Sequence, residues 1–134
     1  MSSVFDASAL VALVKNEPGA DITERLLADG AQRRLVHGAN VSETLYHFLR
    51  RNEGARIEAA LAAFAASGLV GREDMDRDFA RSMARIKVSI PQASLGDCIA
   101  LALAQRVGGT VVTADHPAFE QAAALGICSV TFIR

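Results

Sequence analysis

Four carboxylates stand at the starts of four segments that pattern as helices: Asp6, Glu43, Asp97 and Asp115. Asp6 is the one charged residue in Val4–Leu10, set between Phe5 and Ala7. A buried carboxylate without a partner is costly, so such a residue serves a cap, a partner group or a cation. Local chemistry offers a cap for each. Asn40-x-x-Glu43 and Ser94-x-x-Asp97 have the spacing of capping boxes. Asp6 and Asp115 stand where N-caps stand, the second with Pro117 near the first helical position. Singly, each acid reads as a cap. Together they read differently, if the fold gathers them. Two carboxylates about 5 Å apart repel by about 3 kcal/mol at an effective dielectric near 20, and a helix N-terminus offsets only about 0.3–1 kcal/mol of that. The remainder calls for protonation or a divalent cation. Oxygen ligands without a His or Cys cluster point to Mg²⁺ or Mn²⁺.

The elements that must position these acids alternate. Strands are expected at Val4–Asp6, Arg34–His37, Leu69–Gly71, Thr110–Thr113 and Ser129–Ile133. Helices are expected at Ser8–Asn16, Asp21–Asp29, Asn40–Asn52, Ala55–Ala66, Met75–Val88, Ser94–Val107 and Pro117–Leu125. The nearly all-apolar Ser94–Val107 segment reads as a central helix. This alternation predicts an α/β fold with a mostly parallel central sheet flanked by helices on both faces. Right-handed crossovers then bring every strand-to-helix turn to one sheet edge, the edge where open α/β folds bind ligands. Bringing the Glu43 and Asp97 helices to the Asp6 and Asp115 turns is left to the tertiary fold.

Length and composition bound the reading. The 134 residues fit one domain, 1–134, able to bury a real core; 51% are hydrophobic and 22% charged, which speaks against disorder. No uninterrupted apolar run of about 18 residues suggests a membrane span. The N-terminus has no basic segment ahead of an apolar one, so a cytoplasmic protein is expected. Cys98 and Cys128 lack metal-ligand spacing and read as reduced core residues. The net charge of -1 names no partner. Arg77, Arg81 and Arg85 share one helix face. They read either as an RNA backbone track or as a solvated face paired with Asp74 and Asp78, the commoner use of surface charge. His37 and His47 read as structural, His116 as a turn residue, and Tyr46 and Phe48 as packing groups.

With the acids and their spacing in view, the chain resembles a known family. Val4-Phe5-Asp6-Ala7-Ser8-Ala9-Leu10 looks like the opening of a PIN domain, and Asn40-Val41-Ser42-Glu43 like its second acidic motif. Leu95-Gly96-Asp97-Cys98-Ile99-Ala100-Leu101-Ala102 resembles the third and Val112-Thr113-Ala114-Asp115 the fourth. The resemblance runs over nearly the whole chain, whose length is like that of single-domain VapC toxins of type II toxin–antitoxin systems. It implies a PIN-like three-layer α/β/α fold and a Mg²⁺-dependent endoribonuclease, with Mn²⁺ as an alternative cation. It further implies a homodimer neutralised by a cognate antitoxin. By carry-over, Asp6, Glu43, Asp97 and Asp115 form the catalytic and metal-binding quartet. Asp6 and Asp115 are the first choice of ligands, and Glu43 either ligates or orients the attacking water. Ser8 and Thr113 match the supporting hydroxyls, and Asn40 stands behind the acids. Where some relatives carry a further acid, this chain has His116-Pro117-Ala118, which implies one well-held metal rather than two. Two other readings compete: a non-catalytic PIN-like module that binds RNA or protein, and another Mg²⁺-dependent phosphoryl-transfer domain such as a receiver or phosphatase. The lack of Asp-x-Asp after the first strand, and of a Lys after a late strand, speaks against the second.

Overall fold

Neighbouring residues in a strand point to opposite faces, and this alternation builds two cores. In the computed structural model, which describes residues 1–134, β1 (Ser2–Phe5) sends Val4 to one face and Phe5 to the other, both fully buried. In β2 (Arg33–His37) and β4 (Thr110–Thr113) the same split separates Leu35 from Val36 and Val111 from Val112. The register aligns Val4 with both Leu35 and Val111, so each core runs across the sheet as a continuous apolar layer.

The strands β3 (Leu69–Arg72) and β5 (Ser129–Phe132) complete a five-stranded sheet of order β3-β2-β1-β4-β5, every pair parallel. The helices are α1 (Ala7–Val14), α2 (Ala20–Ala28), α3 (Gly38–Leu49), α4 (Gly54–Ala66), α5 (Arg77–Ser89), α6 (Leu95–Val107) and α7 (Pro117–Ala124). One core packs α5, α6 and α7 on the sheet through Phe79, Ile86, Leu101, Leu103 and Phe119. The other packs α1 and α2 on it through Leu10 and Leu27, with Phe64 of α4 against its rim. The three-layer α/β/α arrangement and mostly parallel sheet expected from the sequence are therefore present, and the sheet is wholly parallel.

Helix α6 is buried all round from Cys98 to Ala104, as its unbroken apolar composition requires. It lies on β1, β2 and β4 and touches α3, α5 and α7. Gly108 ends it in the left-handed conformation at φ 64, where a side chain would be strained. Asn16 and Asn52, also left-handed, end the turns after α1 and α3. No helix is long and apolar enough to cross a membrane, and both cysteines are free.

Strand order reverses direction at β1, with β2 and β4 on its two sides. In such sheets the crevice outside the carboxyl ends, at the point of reversal, is the ligand site. Asp6 directly follows β1 and Asp115 follows β4 by two residues, so both acids reach this crevice.

Candidate active site

Asp6 occupies the N-cap position of α1, yet its side chain makes no cap hydrogen bond. The carboxylate instead accepts from two hydroxyls on one oxygen: Ser8 Oγ at 2.7 Å and Thr113 Oγ1 at 2.9 Å, both on Oδ2. The two hydroxyl oxygens are themselves fixed from behind. Ser8 Oγ accepts from the Ala114 amide at 2.9 Å, and Thr113 Oγ1 from the Asp115 amide at 3.0 Å. Of the two readings of Asp6, the local cap does not form: β4 lies beside β1, so Thr113 comes close enough to claim the carboxylate. Burial pushes the Asp6 carboxyl up to about 7; the two hydroxyls pull it back, and the Asp115 and Asp97 charges raise it further.

Asp97 enters from α6. Its amide donates to Ser94 Oγ and its Oδ2 accepts from the Ser94 amide, each at 3.0 Å, so the capping box is present as expected. Asp115 enters after β4, where His116 rather than Asp115 takes the N-cap position of α7. Burial and Asp97 push the Asp115 carboxyl up, while Arg134 and His116 pull it down. One ligand oxygen each from Asp6, Asp97 and Asp115 lies within 4.8 Å of the other two. No ion pair of the protein involves any of the three. Three carboxylates this close, one of them buried and without a basic partner, fit a hard divalent cation of the Mg²⁺ or Mn²⁺ type.

Glu43 stands beside this cluster and outside it. The expected Asn40–Glu43 capping box does not form, because α3 begins two residues earlier, at Gly38. The cap there is His37, whose Nδ1 accepts from the Ala39 amide at 3.0 Å. Asn40 is fully buried inside the first turn and donates to Glu43 Oε1 at 2.9 Å. Burial pushes the Glu43 carboxyl up, Asn40 pulls it down, and Asp97 and Asp115 raise it. All four acids line one cleft of about 300 Å³, together with Ser8, Val11, Glu17, His47 and Arg134.

His47, Glu17 and Arg134 are cleft residues that sequence reasoning left out. His47 lies four residues after Glu43, so helical spacing on α3 was the signal that could have found it. Its Nε2 is buried without a partner. Arg134 has no comparable signal. Its guanidinium donates to the Pro18 carbonyl at 3.0 Å and lies 3.6 Å from Glu17, contacts set by where β5 ends. The structural reading of His37 holds, since its Nε2 also bonds the Asp74 carbonyl and its ring stacks on Phe79. Arg77, Arg81 and Arg85 are exposed and outside the cleft. Arg81 pairs with Asp78 at 2.9 Å as expected, but Asp74 pairs with Arg72 and Arg106 instead.

A family model described as the PIN domain matches residues 3–125 of the chain. No curated protein matches it. Among solved structures, the chain is similar to one in the "Crystal structure of VapBC2 from Rickettsia felis bound to a DNA fragment from their promoter". The alignment covers 98% of each chain at 14% identity, with a TM-score of 0.76. Identity that low speaks for a shared fold.

Proposed function

The chain belongs to the PIN-domain family, and from that premise we propose that it is a divalent-metal-dependent endoribonuclease that hydrolyses RNA phosphodiester bonds. The observation that carries this reading is the gathering of Asp6, Asp97 and Asp115 from three separate elements to within 4.8 Å at the crevice where strand order reverses. Four acids of ordered roles also speak against a non-catalytic binding module.

On this reading Asp6, Asp97 and Asp115 hold Mg²⁺ or Mn²⁺. When bound, the cation supplies a polarised water and charge stabilisation at the phosphate. The chain's own residues do the rest. Ser8 and Thr113 offset part of the burial that favours the protonated Asp6, and fix its orientation. The Ser94 amide turns Asp97 inward. Glu43, whose carboxyl is pushed up by burial, lines the cleft beside the cluster and orients the attacking water or accepts its proton. Arg134 at the cleft wall faces the phosphates flanking the scissile one. The Arg77, Arg81 and Arg85 face lies outside the cleft, with Arg81 paired to Asp78, and is read as a solvated face. Removing all three arginines is expected to leave the salt slope of RNA binding unchanged, and a lowered slope would make that face an RNA track.

The family membership, with a fold shared with a chain of a VapBC2 complex, supports reading the protein as the toxin of a toxin–antitoxin pair; that it is cytoplasmic, homodimeric and neutralised by a cognate antitoxin is proposed on the sequence resemblance. The test is incubation of the pure protein with structured RNAs in Mg²⁺ and in EDTA, beside Asp6→Asn. Discrete cuts that vanish with EDTA and with Asp6→Asn support the proposal. Cleavage by Asp6→Asn at the parent rate overturns it, binding without cuts supports a non-catalytic module, and phosphate release from a phosphomonoester supports a phosphatase.

A further inference from the structure

Two residues in locally unfavourable settings converge on the Glu43 carboxylate. Gly96 is the second residue of α6, and its backbone is not in the left-handed region that favours glycine. Within a helix, glycine is weaker than alanine, so the conformation gives no reason for it. Space gives one. A Cβ at position 96 would overlap Glu43 Oε1 and lie 2.6 Å from Cδ and 2.8 Å from Oε2. The Glu43 carboxyl group therefore rests against the bare Cα of Gly96. Asn40 is the second residue. It is fully buried and commits both amide protons, one to Glu43 Oε1 at 2.9 Å and one to the Gly96 carbonyl at 3.2 Å. Its Oδ1 is buried with no partner, a setting that weakens the fold. Local departures from stable choices collect where function needs them.

We propose that Gly96 and Asn40 form a latch that seats the Glu43 carboxylate on the first turn of α6, so that Glu43 is aimed into the cleft beside the three-acid cluster rather than joining it. Its catalytic meaning rests on the nuclease reading; its geometry does not. Asn40 ties α3 to α6 at the point where their acids must face one another, and Gly96 leaves the room. Gly96 and Asn40 are positioning residues, acting through Glu43.

Gly96→Ala tests this cleanly, because the group it strikes is the far end of a flexible side chain rather than backbone, so the fold is expected to survive. The expected variant melts no lower than its parent, loses at least tenfold in kcat on a structured RNA with Mg²⁺, and keeps KM within threefold. Its Mn²⁺ affinity by calorimetry stays within threefold, and the Asn40 side-chain amide signals move in a ¹⁵N–¹H spectrum of the metal-free protein. Glu43→Asp draws the carboxylate back by one methylene and makes room for the methyl group. Adding Gly96→Ala to Glu43→Asp is therefore expected to cost less than twofold in kcat. Unmoved Asn40 signals, an unchanged kcat, a tenfold loss of Mn²⁺ affinity, or equal kcat losses in both backgrounds would each overturn the latch. A parent that cleaves no RNA overturns the nuclease reading alone, and the amide signals then decide the latch.

Discussion

Asp6 bears the heaviest electrostatic load in the molecule. Its carboxyl titrates from an ordinary 3.8 in the unfolded chain to about 7 in the folded one, chiefly through burial. Between those values the folded state holds the extra proton. The contribution of Asp6 to stability without metal is therefore full at pH 4 and below and falls as pH rises toward 7, by at most about 1.4 kcal/mol per pH unit for one proton. The upward shifts of Glu43 and Asp115 act in the same sense. Asp6→Asn keeps an oxygen for Ser8 and Thr113 and removes the charge. In EDTA it is expected to be more stable than the parent at pH 8 and equal to it near pH 4, by urea midpoints across that range. A parallel pH dependence in the two proteins would refute the assignment. Added Mn²⁺ is expected to raise the parent's melting temperature more at pH 8 than at pH 5, and that of Asp6→Asn hardly at all.

At the scale of elements, the helix starts do two jobs, and the sequence distinguishes them unevenly. Ser94 and Asp97 form the capping box their spacing suggests, because both partners lie within four residues on one chain. Asn40 and Glu43 have the same spacing and form no such box, because His37 caps α3 earlier and Asn40 is drawn to Gly96 of another helix. Ser94→Ala is expected to lower stability by about 0.5–2 kcal/mol, read from the denaturant midpoint. The amide at position 94 still holds Asp97 Oδ2, so Mn²⁺ affinity is expected to stay within threefold. A larger loss of affinity would mean that the hydroxyl, not the amide, aims the acid. Position 116 illustrates the same division. His116 was legible as a turn residue from Pro117 beside it. Its bond to Glu120 is a local i,i+4 contact of α7, but its bond to the Arg134 carbonyl and its stacking on Phe132 depend on β5 lying next to β4.

At the scale of the molecule, the two apolar layers set how rigidly the crevice is held. Helix α6 carries Asp97 at its start and fully buried residues through its middle, so the same element builds the core and delivers a ligand. Leu101→Ala is expected to destabilise the protein by about 2–5 kcal/mol in urea unfolding followed by circular dichroism. That is a large share of the about 5–15 kcal/mol typical of a domain. A loss below 1 kcal/mol would mean that α6 is not the central packing element.

The sequence by itself determined the class of fold, the places of the elements to within a few residues, and the candidate acids. These follow from interactions between residues near in sequence: apolar periodicity, glycine and proline stops, and the run of motifs that resembles a PIN domain. Only the tertiary structure decided which acids meet. Asp6, Asp97 and Asp115 come together because β4 pairs with β1 and α6 lies across both. Glu43 stays outside because Asn40 and Gly96 seat it elsewhere. It also decided that Thr113, expected as a supporting hydroxyl, shares Asp6 Oδ2 with Ser8, and that Arg134 reaches the cleft. Those contacts join residues far apart in sequence, and their geometry is set by parallel strand pairing and layer packing, which no local pattern encodes.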